Sequence, residues 1–583
     1  MRRLPEVDTV IVGGGWTGLL MAKELAVRTS MSVLVLERGG ARKTSDYSAA
    51  MDELDYGIRH KMMQDASEET VTLRHTTSDR ALPIRQHGSF LPGTGVGGAG
   101  EHWSGISYRY VPDAFELLSR TTAKYGSKAL PEDHSILDWG ITYRELELYY
   151  TRAEKMMGIS GKAGNLGGKL VDGGNIFEGP RSEEYPTPAM KTPYLAALFR
   201  DAALRLGYHP YPLPAATTSV AYKNPDGVSR AGCAYCGYCE RFGCMIGAKA
   251  QPTNTLLPVV SKRRNFELRT GCWVRRIEHD DRNARGVVYV NGAGEEVFQP
   301  AGIVFLAAWT LNNTHLLLLS AIGKQYDPST GEGTLGRNLT RQVSTPAVMA
   351  FFKDPLNRFI GAGAAGTAIS DFDADVFDHD GLGFLRGGSI YINCYGFRPM
   401  ANFGVTPASV SATWGSGWKK AALHYYDRTG RITFSGEHLA YRGNYMDLDP
   451  IYKDRAGDPL LRLTLDWRDN ERRMSAFMTA KAERIAKEMG AVEVTPFPGL
   501  KHYDVVRYQS THIQGGAIMG ADRRQSVVNN YMQHWDLPNL FVLGASSFPQ
   551  NPSGNPTLTA IALTYRTADA VIERFLKTPG YLA

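Results

Sequence analysis

The chain has 583 residues, of which 43% are hydrophobic and 21% charged, so it can bury a large core and is long enough for several domains. Its 65 Lys and Arg residues against 59 Asp and Glu leave a net charge of +6, which is too dilute over this length to indicate a nucleic-acid partner. Its 6 Cys residues exclude a scaffold built from disulfides, and no apolar run reaches the roughly 18 residues that a membrane span needs.

The first forty residues predict a dinucleotide-binding unit. Residues 7–12 are mostly β-branched and almost free of charge, as a strand buried on both faces should be. They lead into the G-x-G-x-x-G sequence of residues 13–18, which opens a predicted helix over 19–28. A second strand is expected at 32–36, followed directly by Glu37.

Each part of this unit has a physical reason. Gly13 permits the tight turn, Gly15 lets backbone approach a pyrophosphate, and Gly18 lets the helix pack on the strand. The helix N-terminus offers unpaired N–H groups to the phosphates. Glu37 is placed to accept hydrogen bonds from both ribose hydroxyls, a role shared by NAD-binding and FAD-binding proteins.

A second glycine-dense loop occupies residues 93–105 and contains Gly97, Gly98 and the dipeptide His102-Trp103. Because glycine lets backbone come close to a ligand, this loop is suited to wrap around a large, flat cofactor.

Four cysteines fall within twelve residues, at Cys233, Cys236, Cys239 and Cys244. The C-x2-C-x2-C spacing is typical of iron–sulfur loops, although the last gap is four residues and Met245 stands where ferredoxins usually have proline. Structural zinc, which usually joins two separated knuckles, is the second interpretation, and disulfides or free thiols are the third. The spacing does not decide between a 3Fe-4S and a 4Fe-4S cluster.

The middle of the chain predicts a substrate lobe. Residues 353–466 are rich in Tyr, Phe and Trp with strand-like pieces such as 388–395, and sugar faces stack on aromatic rings. Residues 469–489 are amphipathic and predict a helix.

The C-terminal part predicts a third ligand-facing segment. Residues 541–546 form a predicted buried strand, and a turn-rich stretch over 551–559 leads into a helix that runs to residue 574.

These features together resemble the glucose–methanol–choline (GMC) oxidoreductases along nearly the full length of the chain. The motifs that carry the resemblance are residues 13–18, Gly97-Gly98, the strand and helix over 303–323 with Asn312, the turn at 336–339, and Asn555-Pro556-Thr557. The resemblance implies bound FAD and a mixed α/β fold. In this fold a Rossmann-like FAD-binding domain is combined with a discontinuous substrate-binding domain built on an antiparallel sheet.

The domain boundaries follow from this comparison. The expected FAD-binding parts are residues 1–110 and 251–345, with connecting substrate-lobe segments at 111–230, the cysteine-rich loop at 231–250, the substrate-binding domain at 346–500, and a catalytic and FAD-binding segment at 501–583.

The resemblance also implies which residues contact FAD: Gly13, Gly15, Gly18, Glu37, Gly97, Gly98, His102, Trp103, Val274, Gly544, Ala545, Asn555, Pro556 and Thr557. Val274 matches a main-chain contact to adenine. Gly544 departs from the family, which usually has Asp there. His102-Trp103 looks like the His-Trp pair that carries FAD covalently in pyranose 2-oxidase; the alternative is that His102 only packs beside the ring.

Two residues match the catalytic pair of the family. Oxidation of an alcohol by flavin requires a base for the hydroxyl proton, and His512 matches the catalytic histidine. Asn555 matches the second member; its amide orients the substrate by a hydrogen bond and cannot act as a base.

The cysteine run narrows the resemblance to the flavoprotein subunits of bacterial membrane-bound sugar dehydrogenases. The segments most like the gluconate 2-dehydrogenase type lie at residues 86–90, 95–100, 177–185 and 239–244. This implies oxidation of a sugar or sugar-acid hydroxyl, with D-gluconate to 2-dehydro-D-gluconate as the first candidate, and electron exit through an iron–sulfur cluster to cytochrome c or quinone. The implied partners are a small subunit and a multihaem cytochrome c. They would hold the chain at the periplasmic face of the inner membrane; the cytoplasm is the alternative.

Two other functions stay open. One is an FAD oxidase of the pyranose 2-oxidase or glycoside 3-oxidase type, which reduces oxygen directly. The other is a non-catalytic electron-transfer or scaffold subunit, against which the presence of both His512 and Asn555 counts.

Overall fold

A computed structural model describes residues 1–47, 69–85, 92–358, 361–394, 403–505 and 512–582, without the side chains of 345 and 346. The segment 86–90, which contributed to the resemblance above, lies outside the described residues. So do Tyr395 and residues 510 and 511, which precede His512.

The first half of the molecule is built on an eight-stranded sheet. Strand Val7–Val12 lies between Val33–Leu36 and Glu296–Leu306 and is parallel to both. Its residues 9–12 are buried, which fits the apolar, β-branched sequence. The remaining strands of this sheet are Arg2–Arg3, Phe266–Arg269, Trp273–His279, Ala284–Val290 and Leu540–Val542. Because Leu540–Val542 joins parallel to Glu296–Leu306, both ends of the chain belong to one sheet.

Three helices accompany this sheet. Trp16–Arg28 follows the first strand, Thr310–Leu319 follows Glu296–Leu306, and Thr557–Ala570 contacts Trp16–Arg28. The predicted first helix therefore begins three residues earlier than the sequence indicated, at Trp16.

The second half contains a six-stranded sheet with antiparallel neighbours. Its strands, in spatial order, are Tyr211–Pro212, Gly366–Ile369, Gly388–Asn393, Thr429–Gly436, Val343–Phe351 and Glu493–Pro496. Helices Asp469–Glu488 and Tyr194–Arg205 pack against it, and the first of these is the helix predicted at 469–489. One continuous core includes side chains from both sheets. The predicted fold class, a mixed α/β fold with two sheets, is confirmed.

Smaller elements connect the two halves. A four-stranded sheet is formed by Tyr445–Lys453, Pro459–Thr464, Thr72–Arg74 and Leu82–Pro83. Short strand pairs are Thr340–Arg341 with Ile513–Gln514, Ser160–Gly161 with Thr187–Pro188, Asn165–Leu166 with Lys169–Leu170, and Tyr222–Lys223 with Ser229–Arg230. The other helices are Leu117–Tyr125, Tyr143–Met157, Pro252–Thr255, Leu257–Val260 and Gly415–Tyr425. Among the described residues, the helices are too short or too polar to cross a membrane.

Candidate functional site

Residues 13–18 and 93–101, called here the glycine cradle, form one wall of a cleft at the carboxyl edge of the first sheet. Gly13 has φ +105°, and a Cβ there would lie 2.5 Å from the carbonyl oxygen of Ala307. A Cβ on Gly18 would lie 2.0 Å from the carbonyl oxygen of Gly13. Both positions therefore accept only glycine, as the motif requires. A Cβ on Gly15 would meet nothing within 4 Å, so this residue faces open space where a ligand can approach the backbone.

The two glycine segments are joined by direct contacts. The N–H of Gly97 donates to the carbonyl oxygen of Gly14 at 2.8 Å. The carboxylate of Glu37 accepts hydrogen bonds from the N–H groups of Gly14 at 2.9 Å, Gly39 at 2.8 Å and Gly95 at 3.3 Å. Glu37 thus holds both segments together as well as lining the cleft. Its predicted contact with ribose stays a prediction, and a carboxylate with two oxygens has capacity for it.

Three separate segments of the chain line the cleft. Its lining includes the following predicted FAD residues: Gly13, Gly15, Glu37, Gly97, Gly98, Val274, Gly544, Ala545, Pro556 and Thr557. In the part of the chain that the structure describes, Gly18, His102, Trp103 and Asn555 are not among the lining residues. Gly18 acts by letting the helix approach the turn.

These residues fit an FAD molecule. The open space at Gly15, the N-terminus of helix Trp16–Arg28 and the glycine backbone suit a pyrophosphate. The same cleft is lined by Val274 and Glu37 as well as by His512.

The backbone of Gly544 accounts for glycine at this position. This residue has φ +93° and ψ −164°, a conformation that is essentially restricted to glycine. The turn also ends strand Leu540–Val542 earlier than predicted, before the short helix Ala545–Ser547.

His512 lines the cleft, and Asn555 lies beside it. The Nδ2 atom of Asn555 is 3.1 Å from Nε2 of His512. On the other side of the ring, Nδ1 of His512 is 2.5 Å from Oε1 of Gln342. The sequence predicted the pair but missed Gln342, whose only signal is its position just after the turn at 336–339. The catalytic roles of His512 and Asn555 stay predictions.

The environment of His512 favours the neutral imidazole. Burial, together with the positive charge of Arg341, lowers the pKa of His512 to about 4, while Glu240 acts in the opposite direction. Part of the residue still faces the cleft. A neutral imidazole can accept a proton, so the ring is ready to act as a base at ordinary pH.

His102 and Trp103 follow the turn Gly98–Glu101 of the cradle. His102 is buried, and its carbonyl oxygen accepts a hydrogen bond from the N–H of Arg241 at 2.6 Å. The indole N–H of Trp103 donates to Ala250 at 2.9 Å, and its ring packs edge-on against Trp16. These positions place both residues beside the cradle; covalent attachment through His102 stays a prediction.

Residues 233–244, the cysteine loop, differ from the predicted metal site. Cys239 and Cys244 are buried, Cys233 and Cys236 are half-buried, and all four are free thiols. Burial raises the pKa of Cys233 to about 11 and that of Cys239 to about 12, with neighbouring thiols adding to the rise. Among the described residues, which include all four, no group of three or more Cys, His, Asp or Glu side chains is arranged to hold a metal ion.

The structure therefore does not support the predicted iron–sulfur ligation by Cys233, Cys236, Cys239 and Cys244. The physical reason is that cluster and zinc ligands are thiolates converging on one point. Here, among the described residues, the four sulfurs are not gathered into a group that could hold a metal ion, and the backbone passes through left-handed conformations at Tyr235 and Arg241, with φ of +56° and +71°.

One buried side chain that the sequence did not indicate fixes the cysteine loop to the segment that follows the cradle. The ammonium group of Lys249 donates hydrogen bonds of 2.8 Å to the carbonyl oxygens of Trp103, Cys239 and Phe242. Burial lowers the pKa of Lys249, and the nearby carboxylate of Glu101 opposes this. The cysteine loop consequently lies directly against the segment that follows the cradle.

The chain was compared with models of protein families and with known proteins, and both comparisons found matches. Models of the GMC oxidoreductase family match residues 197–344 and 440–564. The chain is 45% identical to the gluconate 2-dehydrogenase flavoprotein of Pantoea cypripedii, over 99% of this chain and 95% of the relative. It is 25% identical to the fructose dehydrogenase large subunit of Gluconobacter japonicus, over 97% of each chain.

A solved structure has the same fold. Pyridoxine 4-oxidase from Mesorbium loti superposes with a TM-score of 0.62, covering 98% of this chain and 100% of that chain, at 16% identity. At this identity the likeness concerns the fold alone.

Proposed function

This chain belongs to the GMC oxidoreductase family and is an FAD-dependent oxidoreductase of CH–OH donors, and we propose that its substrate is a sugar acid, D-gluconate, oxidised to 2-dehydro-D-gluconate. The observation that carries the proposal is the His512–Asn555 pair, 3.1 Å apart, of which His512 lines the cleft. The substrate is proposed from the relative named gluconate 2-dehydrogenase flavoprotein, which is similar over 99% of this chain.

The chemistry assigned to the chain is proton removal and orientation. Bound FAD supplies the acceptor for the hydride that leaves the carbinol carbon. Nε2 of His512 takes the hydroxyl proton, so that the C–O single bond becomes a carbonyl as the C–H bond breaks. The Nδ2 group of Asn555 donates a hydrogen bond to the substrate oxygen and directs the carbon toward the flavin.

The experiment uses the purified, FAD-loaded protein with D-gluconate, D-fructose and D-glucose, and measures reduction of a dye acceptor and the oxidised carbon of the product. We expect the highest kcat/KM with D-gluconate and a ketone at C2. Replacing His512 by Ala should lower kcat by roughly 100- to 10,000-fold, the usual contribution of a general base. Turnover of D-gluconate that is no faster than that of neutral sugars would contradict the substrate. Hydrogen peroxide formed in air at the dye-dependent rate would favour the oxidase alternative.

We propose that the electrons leave the flavin for cytochrome c or quinone through partner subunits at the periplasmic face of the inner membrane. The support is that one relative is named a large subunit, which implies a smaller partner for that protein. Cell fractionation tests the location. A cofactor-loaded protein found alone in the cytoplasm would contradict it.

We also propose that the cysteine loop takes up an iron–sulfur cluster, after a rearrangement that brings its sulfurs together. The support is the C-x2-C-x2-C spacing and the location of the loop next to the segment 102–103. Iron and acid-labile sulfide analysis, with electron paramagnetic resonance, provides the test. Protein that is active with D-gluconate and contains no iron would contradict this assignment.

Covalent attachment of FAD through His102 is proposed from the His-Trp dipeptide and its place beside the cradle. After acid precipitation the flavin should stay with the wild-type protein and be released from the His102→Ala variant. Release from the wild type would show that FAD is held without a covalent bond.

A further inference from the structure

Gln342 contacts both members of the proposed catalytic pair. It follows strand Thr340–Arg341, which pairs with Ile513–Gln514, and its side chain is fully buried. Its Oε1 atom is 2.5 Å from Nδ1 of His512. Its Nε2 group donates to the carbonyl oxygen of Gly554, the residue directly before Asn555, and reaches the carbonyl oxygen of Pro552 at 3.5 Å.

These contacts fix how the Gln342 amide is oriented. Because its NH2 group is used by the carbonyl oxygen of Gly554, its oxygen must face His512, and this oxygen can only accept. The hydrogen of the neutral imidazole then sits on Nδ1. The lone pair is on Nε2, which faces the NH2 group of Asn555.

We infer that Gln342 is the positioning residue that sets the His512 tautomer and holds the base in register with Asn555. The inference rests on the proposed function of His512 as the base. Without Gln342 the imidazole proton can lie on either ring nitrogen. Only the tautomer with the proton on Nδ1 presents the Nε2 lone pair to the substrate hydroxyl. A neutral amide also leaves the imidazole unprotonated, whereas a carboxylate at this position would favour imidazolium. The charged groups that act on the ring from other elements are Arg341 and Glu240.

Two substitutions at Gln342 test this. Gln342→Leu removes the acceptor, and we expect kcat with D-gluconate to fall roughly 10- to 100-fold while KM changes less than about threefold, because orientation and not binding is lost. Gln342→Glu is nearly isosteric and introduces a group that shares a proton with His512. We expect the acid limb of log(kcat/KM) to move up by at least about one pH unit.

Gln533 provides the matched control. It is also fully buried, and its Nε2 group donates to the carbonyl oxygens of Pro538 at 2.6 Å and Gly580 at 2.8 Å, away from the cleft. Gln533→Glu and Gln533→Leu should lower the unfolding temperature. They should not move the acid limb of log(kcat/KM), and they should not lower kcat selectively while KM stays unchanged. A role of Gln342 in stability alone would make the two positions behave alike.

The outcomes separate this inference from the proposed function. If the wild type oxidises D-gluconate and His512→Ala is inactive, but Gln342→Glu keeps the wild-type acid limb, the inference is wrong and the function stands. If the wild type prefers another sugar, the proposed substrate is wrong, and the same profiles on that sugar decide about Gln342. Should Gln342→Leu fail to fold, the isosteric Glu variant still gives the decisive pH profile.

Discussion

The glycine cradle and the cysteine loop lie against the same short stretch of chain, residues 102–103, but they are held by opposite means. In the cradle, backbone packs on backbone: a Cβ on Gly93 would lie 2.0 Å from the carbonyl carbon of Gly98. In the cysteine loop, one ammonium group, that of Lys249, is shared among three carbonyl oxygens. The first region depends on close approaches of backbone that glycine permits, with Glu37 joining its segments, and the second depends on the buried Lys249 side chain.

This difference decides how each region responds to substitution. Addition of atoms should damage the cradle, whereas removal of one charged group should loosen the cysteine loop. Four substitutions or measurements test that contrast, and those at Gly18 and Lys249 have a control of the same residue type.

The largest effect is expected at Gly18. Gly18→Val should destabilise the protein by more than about 3 kcal/mol and abolish FAD retention, because the new Cβ would lie 2.0 Å from the carbonyl oxygen of Gly13. Flavin absorbance after gel filtration and urea unfolding measure both effects. Gly40→Ala is the control, since a Cβ there would meet nothing within 4 Å. Flavin content equal to wild type in Gly18→Val would refute close packing as the reason for this glycine.

The next effect is expected at Lys249. Lys249→Met should cost roughly 2–4 kcal/mol in free energy of unfolding, because buried carbonyl oxygens lose charge-assisted hydrogen bonds. Proteolysis should also become faster within residues 233–244. Lys155→Met is the control: this lysine pairs with Glu183 at an exposed site and should cost less than about 1 kcal/mol. Equal losses at both positions would break the contrast between the regions.

The contrast also explains what the sequence could predict. Strand Val7–Val12 and the turn after it can be predicted from the local amino-acid sequence, since apolar strand residues and required glycines can be recognised without knowing the fold. Gln342 and Lys249 are single polar residues whose partners lie 170 and 146 positions away, at His512 and Trp103. No local pattern marks such contacts, because only tertiary packing brings the partners together.

The cysteine loop shows a second limit of prediction from the sequence. Spacing predicts which residues have the right chemistry to bind metal, but not whether their sulfurs converge. That depends on backbone torsions between them, such as the left-handed conformations of Tyr235 and Arg241. The cradle is easier to predict, because glycine is the residue that permits the positive φ angles and close backbone contacts that the turn needs.

A smaller effect separates fold from ligand binding at Gly15. Gly15→Ala should keep the wild-type unfolding free energy to within about 1 kcal/mol, because the added methyl group meets no protein atom within 4 Å. It should weaken FAD binding by roughly tenfold or more, because the methyl group fills the space through which backbone approaches the pyrophosphate. Titration of apoprotein with FAD measures this. A variant that binds FAD normally would show that the cofactor does not approach this glycine.

The smallest effect concerns thiol reactivity in iron-free protein. Alkylation needs the thiolate, and burial raises the pKa of Cys233 to about 11 and of Cys239 to about 12. Since the folded pKa values lie above the usual value near 8.5, the thiolate fraction at pH 8 is low and rises with pH. Iodoacetamide should therefore label Cys239 more slowly than the half-buried Cys233, and both more slowly than the same residues in urea, as peptide mass spectrometry can measure. If both cysteines were labelled at pH 8 as fast as in the unfolded protein, the folded loop would already present thiolates, which is the state that metal ligation requires. That result would remove the contrast with the cradle and would favour a preformed cluster site.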